Sequence, residues 1–218
     1  MAEDKSLEDK LRKLFLVKEE KSSAYILAQK GFNSLEEGRL KKAIQLFQQA
    51  FDKNPLKAHL GLGASYLDCD NYKAAESNFK RAIESDPENE DSHFYLSIAY
   101  LMQGRYKEAE IEVKKGRGSD PNDLPSHYAL CCIYCGQGRY DEAITELAKV
   151  LKLSPNDPDA YLFLAECFMS KWVKVKKIEE FKKAWDAYLV AADLGSEEAK
   201  KRMEQIKHSA EEGLKKKQ

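Results

Sequence analysis

The strongest constraint on how this chain folds is that one pattern of residues occurs four times in succession. Each copy ends in a proline, and successive prolines are 32, 34 and 34 residues apart. Within each copy, a small residue is followed twelve positions later by an alanine. A period of this length indicates an array of stacked units rather than a single layered core. The prolines are Pro55, Pro87, Pro121 and Pro155, and the pairs are Gly31 with Ala43, Gly63 with Ala75, Ser97 with Ala109, and Cys131 with Ala143.

Each copy is predicted to form two helices joined by a tight turn. In the third copy, apolar, aromatic and small residues recur at helical spacing and make one stripe on a helix. Gly104 favours the tight turn that follows. The residue before Pro121 is pushed out of helical geometry, which ends the second helix. Because one helix pair cannot bury its apolar face alone, the copies must stack. The stripe consists of His93, Leu96, Ser97 and Tyr100.

The pattern resembles the tetratricopeptide repeat, because a small residue, glycine, tyrosine, alanine, an apolar residue and proline recur in register. The match is strong over residues 24–157. The resemblance implies an all-α fold, a right-handed α-solenoid of helix-turn-helix repeats with capping helices at both ends. The predicted domains are an N-terminal amphipathic helix over residues 1–23, five repeats over 24–195, and a C-terminal capping helix with a basic tail over 196–218. The predicted repeats cover about 24–55, 56–89, 90–123, 124–157 and 158–195.

The fifth repeat departs from the period. Ala165 and Ala184 hold the positions of the small residue and the alanine, but they are 19 residues apart instead of 12. The additional residues lie around the segment WVKVKKI, residues 172–178. We therefore expect longer helices or a longer connection in this repeat.

Residues 6–20 are predicted to form an amphipathic helix whose apolar face needs cover. It could pack on Tyr25, Ala28 and Phe32 and so cap the first repeat. It could instead lie in the groove of a second copy, which would make the protein a self-assembling scaffold or homo-oligomer. The sequence leaves both arrangements open. The apolar face consists of Leu7, Leu11, Leu14 and Phe15.

Composition narrows the function classes. Lys plus Arg number 36 and Asp plus Glu number 37, a balance that argues against a nucleic-acid binder, which usually has a basic face. No apolar run has the length of a signal peptide or a membrane span. The five cysteines are an odd number and favour reduced thiols, so we expect a cytoplasmic protein. Signatures of phosphate-binding, dinucleotide-binding and nucleophile-elbow enzymes are missing, so neither an enzyme nor a cofactor is expected.

A second stripe on the first helices is turned about 100° from the packing stripe, as the 3.6-residue period requires. In the family these positions largely line a concave groove, although part of the stripe could pack against the neighbouring repeat. We therefore expect an adaptor or assembly scaffold that binds a peptide or helix of a partner protein in an apolar groove. The predicted groove residues are Phe32, Leu60, Ala64, Phe94, Tyr95, Ile98, Tyr128, Cys132, Phe163 and Glu166.

One family subtype binds the C-terminal carboxylate of chaperones through Lys, Asn and Arg side chains. The matching positions here are Ala28 and Phe32 in the first repeat, Gly61 in the second, and Asp91 and Tyr95 in the third. None of these residues can supply the expected cations or amides. We therefore expect no carboxylate clamp of this kind.

Two sets of residues could suggest a metal, and neither is convincing from the sequence. Histidine recurs at His59, His93 and His127. Equivalent helices of neighbouring repeats are about 10 Å or more apart, whereas the ligands of one zinc ion all lie about 2 Å from it. Cys132 and Cys135 share a helical face, but a structural zinc site usually needs a second such pair. Cys131 occupies a small-residue position and is interpreted as core filler. No metal is expected.

Overall fold

The computed structural model describes residues 23–116 and 120–215, with backbone only for residues 24, 25, 32, 35, 36, 40 and 210–215. These ranges form eleven α-helices and no strand, which confirms the predicted all-α fold. The predicted N-terminal helix and residues 216–218 of the predicted tail lie outside the described residues. The helices are α1 Ser23–Glu36, α2 Leu40–Lys53, α3 Pro55–Asp68, α4 Tyr72–Ser85, α5 Glu90–Met102, α6 Tyr106–Lys115, α7 Leu124–Gly136, α8 Tyr140–Leu153, α9 Pro158–Val175, α10 Ile178–Asp193 and α11 Glu197–Lys215.

The helices pack in consecutive pairs, α1 with α2, α3 with α4, α5 with α6, and α9 with α10. First helices of neighbouring pairs also contact one another, as α1 does with α3 and α3 with α5. The contacts divide the chain into two compact units, residues 1–129 and 130–218, with the boundary inside α7. None of the helices in the described ranges combines the length and the apolarity that crossing a membrane requires.

The polar residue before Pro55 has two functions in this fold. Asn54 ends α2 in an extended conformation, and its side chain then accepts a hydrogen bond from the Lys57 amide at 3.0 Å at the start of α3. Pro55 occupies the first turn of α3, where its missing N–H is not needed. Asp157 caps α9 in the same way, accepting from the Ala160 amide at 3.3 Å. At Asn54–Pro55 one dipeptide therefore ends one helix and begins the next. In the fourth repeat the two functions are separate, because Ser154 ends α8 and Asp157 caps α9.

The turn inside each repeat requires a left-handed residue. Gly38, Gly104 and Gly138 have φ values of 73°, 70° and 71°. In the second repeat Asp70 takes this place with φ 57°, and its carboxylate accepts a hydrogen bond from the Tyr72 hydroxyl at 2.5 Å. Aspartate tolerates this conformation better than most residues with a side chain, so the turn is conserved in geometry although its glycine is not present.

Small residues bring the two helices of a repeat close together. Gly63 on α3 faces the fully buried ring of Phe79 on α4, and a Cβ at this position would overlap the ring. Gly31 stands in the same relation to Phe47, whose ring would lie 2.7 Å from an added Cβ. Tyr95 of the third repeat stacks on Phe79 with ring centroids 5.6 Å apart. Phe79 therefore joins the inside of one repeat to the next.

A polar contact also links the second and third repeats. The Glu76 carboxylate on α4 accepts hydrogen bonds from Arg105 Nη1 at 2.7 Å and from Gln103 Nε2 at 3.0 Å. Lys80 binds its other oxygen at 2.6 Å, and the Arg105 guanidinium lies 4.1 Å from the centre of the Tyr100 ring. Burial raises the pKa of Glu76, but these hydrogen bonds and positive charges outweigh burial and lower it.

The second unit contains the modified repeat. The additional residues extend α9 to 18 residues, and Lys176 ends it in a left-handed conformation with φ 58°. Helix α11 follows, with the Ser196 hydroxyl accepting a hydrogen bond from the Ala199 amide at 3.3 Å. Ala199 and Met203 are buried against Tyr188 of α10, so α11 covers the last repeat.

Replacing Phe79 with alanine should lower the free energy of unfolding by about 3–5 kcal/mol, because a fully buried ring is removed and leaves a cavity. Ile111 is 55% exposed, and its replacement by alanine should change the stability by less than about 0.5 kcal/mol. Urea unfolding followed by circular dichroism measures both. Equal effects of the two substitutions would mean that Phe79 does not support the stack.

Replacing Glu76 with glutamine should cost on the order of 1 kcal/mol at pH 7, since a hydrogen-bonded carboxylate loses its charge. The pKa of Glu76 is lowered from 4.5 in the fold, so its contribution is complete above about pH 4.5 and is lost as the pH falls further. The stability difference from wild type should shrink in acid. Glu108 binds the same arginine from an exposed position, and its replacement by glutamine is the control; an equal loss there would argue against the inter-repeat link.

Candidate functional site

The predicted groove residues are mostly enclosed by the fold. Eight of them have at most 5% of their surface exposed, so their side chains are largely covered by the protein itself. Only Glu166 is partly exposed, with 37% of its side chain accessible, and the side chain of Phe32 lies outside the described ones. The buried residues are Leu60, Ala64, Phe94, Tyr95, Ile98, Tyr128, Cys132 and Phe163.

Packing between repeats explains part of this burial. Tyr95 lies between the Phe79 ring of the preceding repeat and the Phe94 ring of its own helix. The ring centroids of Tyr95 and Phe94 are 5.7 Å apart. The alternative that part of the stripe packs against the neighbouring repeat therefore holds for Tyr95. Glu166 Oε1 lies 3.4 Å from Arg202 Nε, a contact between α9 and α11. As contacts for a ligand, the groove residues stay a prediction.

The repeated histidines contact residues of their own repeat and of the end of the preceding repeat. His93 Nδ1 is 2.7 Å from a Glu112 carboxylate oxygen on the second helix, and Nε2 is 3.0 Å from the Pro87 carbonyl. His127 Nε2 lies 3.1 Å from the carbonyl of Pro121. In the third and fourth repeats, histidine therefore connects the first helix to the proline at the end of the preceding repeat.

His59 has a weaker version of this arrangement. Its Nδ1 lies 3.2 Å from the Asn78 side-chain oxygen on the second helix, and its ring meets Phe51 edge-on with centroids 4.8 Å apart. Burial lowers the pKa of His59. A neutral, hydrogen-bonded ring in an aromatic contact fits a packing role.

Cysteines of two repeats meet in the second unit. Cys131 and Cys135 are four residues apart on α7 and share a face, and Cys167 reaches them from α9. The three sulfur atoms lie within 4.8 Å of one another. The sequence suggested Cys132 and Cys135 as the pair, but the i, i+4 spacing and the next repeat bring different thiols together. Cys167 lies 36 residues after Cys131, which is close to the repeat period. This spacing is the sequence signal that could have identified Cys167 as a member of the cluster.

Exposed large apolar side chains are concentrated in the modified repeat. The described residues include nine such side chains, and six of them lie between residues 173 and 194. Val173 and Ile178 are each 54% exposed. The unusual segment WVKVKKI is the signal in the sequence, because its apolar residues have no counterpart in the other repeats. The six are Val173, Val175, Ile178, Leu189, Val190 and Leu194.

We call the surface at the end of α9 and the start of α10 the insertion edge. It has an aromatic base, in which Trp172 and Phe181 have centroids 5.2 Å apart and Phe181 and Trp185 6.3 Å apart. Lys176 lies 5.4 Å over the Trp172 ring. The insertion edge thus combines partly buried rings, exposed aliphatic side chains and positive charge. It is defined as Trp172, Val173, Lys174, Val175, Lys176, Lys177, Ile178, Phe181 and Trp185.

Two family models match the sequence, one described as tetratricopeptide repeat over residues 66–131 and one as TPR repeat over residues 133–171. No curated protein matches it. Solved structures with a similar fold include YrrB, described as a TPR protein with an unusual peptide-binding site. It is 20% identical, covers 80% of this chain and 88% of its own, and has a TM-score of 0.61.

Structures of MamA are similar as well. The structure labelled MSR-1 is 22% identical with a TM-score of 0.55, covering 75% of this chain and 95% of its own. A double mutant labelled RS-1 is 16% identical with a TM-score of 0.62, covering 79% and 94%. At these identities the likeness concerns the fold alone. The recurring pattern, the paired helices and the family matches together show that this chain is a tetratricopeptide-repeat protein.

Proposed function

We propose that this protein is an interaction scaffold that holds a segment of another protein, with the insertion edge as its main docking surface. The observation that carries the proposal is that three of the exposed large apolar side chains, Val173, Val175 and Ile178, lie together on the insertion edge. Contiguous exposed apolar surface usually marks an interaction site. Tetratricopeptide-repeat proteins are generally interaction modules rather than enzymes, and the peptide-binding site named for YrrB supports the same class of function.

The chemistry of the insertion edge defines the partner. Trp172 and Trp185 offer large rings that are already partly ordered by Phe181, so little conformational entropy is lost when they are covered. Tryptophan is also enriched among the residues that dominate binding energy. The adjacent lysines, Lys174, Lys176 and Lys177, are exposed and favour an acidic partner. We therefore propose a segment with both apolar and acidic side chains, such as one face of an amphipathic helix.

The predicted groove is the second candidate surface. A ligand that contacted Phe94 or Tyr95 would have to displace the groups that now cover these rings, and each uncovered ring costs about 1.5–3 kcal/mol. Alanine at Phe94 or Tyr128 would also remove a buried ring, so loss of binding by such variants would not distinguish a contact from unfolding. Glu166 is accessible and therefore tests the groove without disturbing the core.

The double variant Val173→Ser/Ile178→Ser should stay folded and lose at least about tenfold in affinity for its partner, since central apolar contacts cost over about 1 kcal/mol when removed. The matched control is Ile44→Ser/Ile111→Ser, which changes residues 54% and 55% exposed in the first unit. Pull-down with quantitative mass spectrometry compares the partners, and thermal melts check folding. Equal capture by both double variants would contradict the insertion edge as the docking surface.

Two further measurements separate the alternatives. Loss of the same partners by Glu166→Gln alone, in a variant with an unchanged melting temperature, would move the site to the groove. Light scattering across concentration should show a monomer. Association that grows with concentration and disappears when residues 1–20 are deleted would instead favour the self-assembling scaffold.

A further inference from the structure

The cysteine cluster in the second unit carries chemistry that the interaction role does not use. Cys135 Sγ lies 2.7 Å from Cys167 Sγ, and Cys131 Sγ lies 3.9 Å from Cys167 Sγ. All three are thiols. Cys131 and Cys167 are buried, whereas Cys135 is only partly buried. One partly exposed thiol therefore lies directly against a buried one.

The spacing favours a bond between sulfurs over a shared metal ion. Two thiolates on one tetrahedral zinc, each about 2.3 Å from the metal, lie about 3.8 Å apart. Cys135 and Cys167 are more than 1 Å closer than this. Within the described residues, the cluster offers three ligands, one fewer than a structural zinc site needs. An ion would have to push the closest pair apart, whereas a disulfide needs only a further approach.

The surroundings also activate the partly exposed thiol. Hydrogen bonds from Cys131 and then from Cys167 lower the pKa of Cys135 to about 5, against the opposing effect of burial. Cys135 is therefore a thiolate at neutral pH, the form that reacts with oxidants. Hydrogen bonds with the neighbouring thiols of Cys132, Cys135 and Cys167, and then burial, raise the pKa of Cys131, so it remains a thiol that can donate to Cys135.

We propose that Cys135 and Cys167 are a thiol–disulfide pair that is oxidised by hydroperoxides. The Cys135 thiolate attacks the outer peroxide oxygen; a sulfur–oxygen bond forms, the oxygen–oxygen bond breaks, and the departing alkoxide takes a proton to become an alcohol. Cys167 then loses its proton and attacks the Cys135 sulfur. The disulfide forms, the sulfur–oxygen bond breaks, and hydroxide leaves as water after taking a proton. Two thiols lose two electrons and the hydroperoxide gains them.

The disulfide would join α7 of the fourth repeat to α9 of the fifth. The bond would restrict how far α9 can move from α7. Helix α9 also carries the start of the insertion edge. Oxidation therefore acts on the same helix that we propose as a docking element, although the redox pair itself does not depend on that proposal.

The test uses the full-length chain with Cys69→Ser, which removes an exposed thiol that could link two molecules. The protein is treated with hydrogen peroxide, unfolded, alkylated with iodoacetamide and weighed. Of the five cysteines in the sequence four remain, and we expect oxidation to lower the alkylated number from four to two. After trypsin digestion without reductant, the peptides 118–139 and 153–171 should be linked. Dithiothreitol should restore all four thiols.

Single serine variants identify the pair. Cys135→Ser and Cys167→Ser should prevent the loss of two thiols, whereas Cys132→Ser, a buried neighbour on the same helix, and Cys131→Ser should not. Circular dichroism checks that each variant is folded. Unlinked peptides and four reactive thiols in the folded, peroxide-treated parent protein would overturn the proposal without any variant. The same linkage in Cys135→Ser would overturn the assignment.

The reactivity of Cys135 adds a second readout. Its alkylation rate in the folded, reduced protein should change less than about twofold between pH 6 and pH 8, because it is already ionised. An ordinary thiol with a pKa near 8.5 would react about 75-fold faster at the higher pH. A steep rise at Cys135 would contradict the activated thiolate.

Discussion

The close approach of two helices within each repeat is the interaction on which the rest of this structure depends. It requires a residue without a side chain, or with a very small one, opposite a large ring, as at Gly63 and Phe79. Once the ring is fixed there, its outer face becomes the surface on which Tyr95 of the next repeat stacks. The same atoms therefore close one repeat and position its neighbour, which is how a short local pattern propagates along a chain.

The repeat fold could be predicted from the sequence because the same pattern occurs several times, and each further copy strengthens a signal that is weak in one copy. One helix pair with a small residue and an alanine twelve positions apart is a weak signal, but four in register determine the fold. The turn shows the limit of motif matching: Asp70 replaces glycine and still adopts φ 57°. Its short carboxylate, held by Tyr72, is compatible with the left-handed conformation that glycine adopts in the other repeats.

The candidate site was harder to predict, for two physical reasons. Helical periodicity identifies a face, but it does not say whether that face is open. Phe94 and Ile98 share the predicted groove stripe, and both are buried. Which side chains of neighbouring repeats come into contact also depends on their exact position on the helix, and a shift of one residue changes the contact. Cys132 was the expected neighbour of Cys135, and Cys167, 32 positions away, is the thiol in closest contact. Only the three-dimensional structure distinguishes Cys132 from Cys167 as the nearest thiol to Cys135.

The fifth repeat shows what happens when the period is broken. The additional residues lengthen α9 to 18 residues, compared with 13 or 14 in the first helices of the other repeats. Val173 near the end of α9 and Ile178 at the start of α10 are exposed. A strictly periodic repeat would have placed the turn before these residues. Exposed apolar surface at this position is therefore a consequence of the insertion itself, and a protein keeps such surface at a cost in solubility unless another molecule covers it.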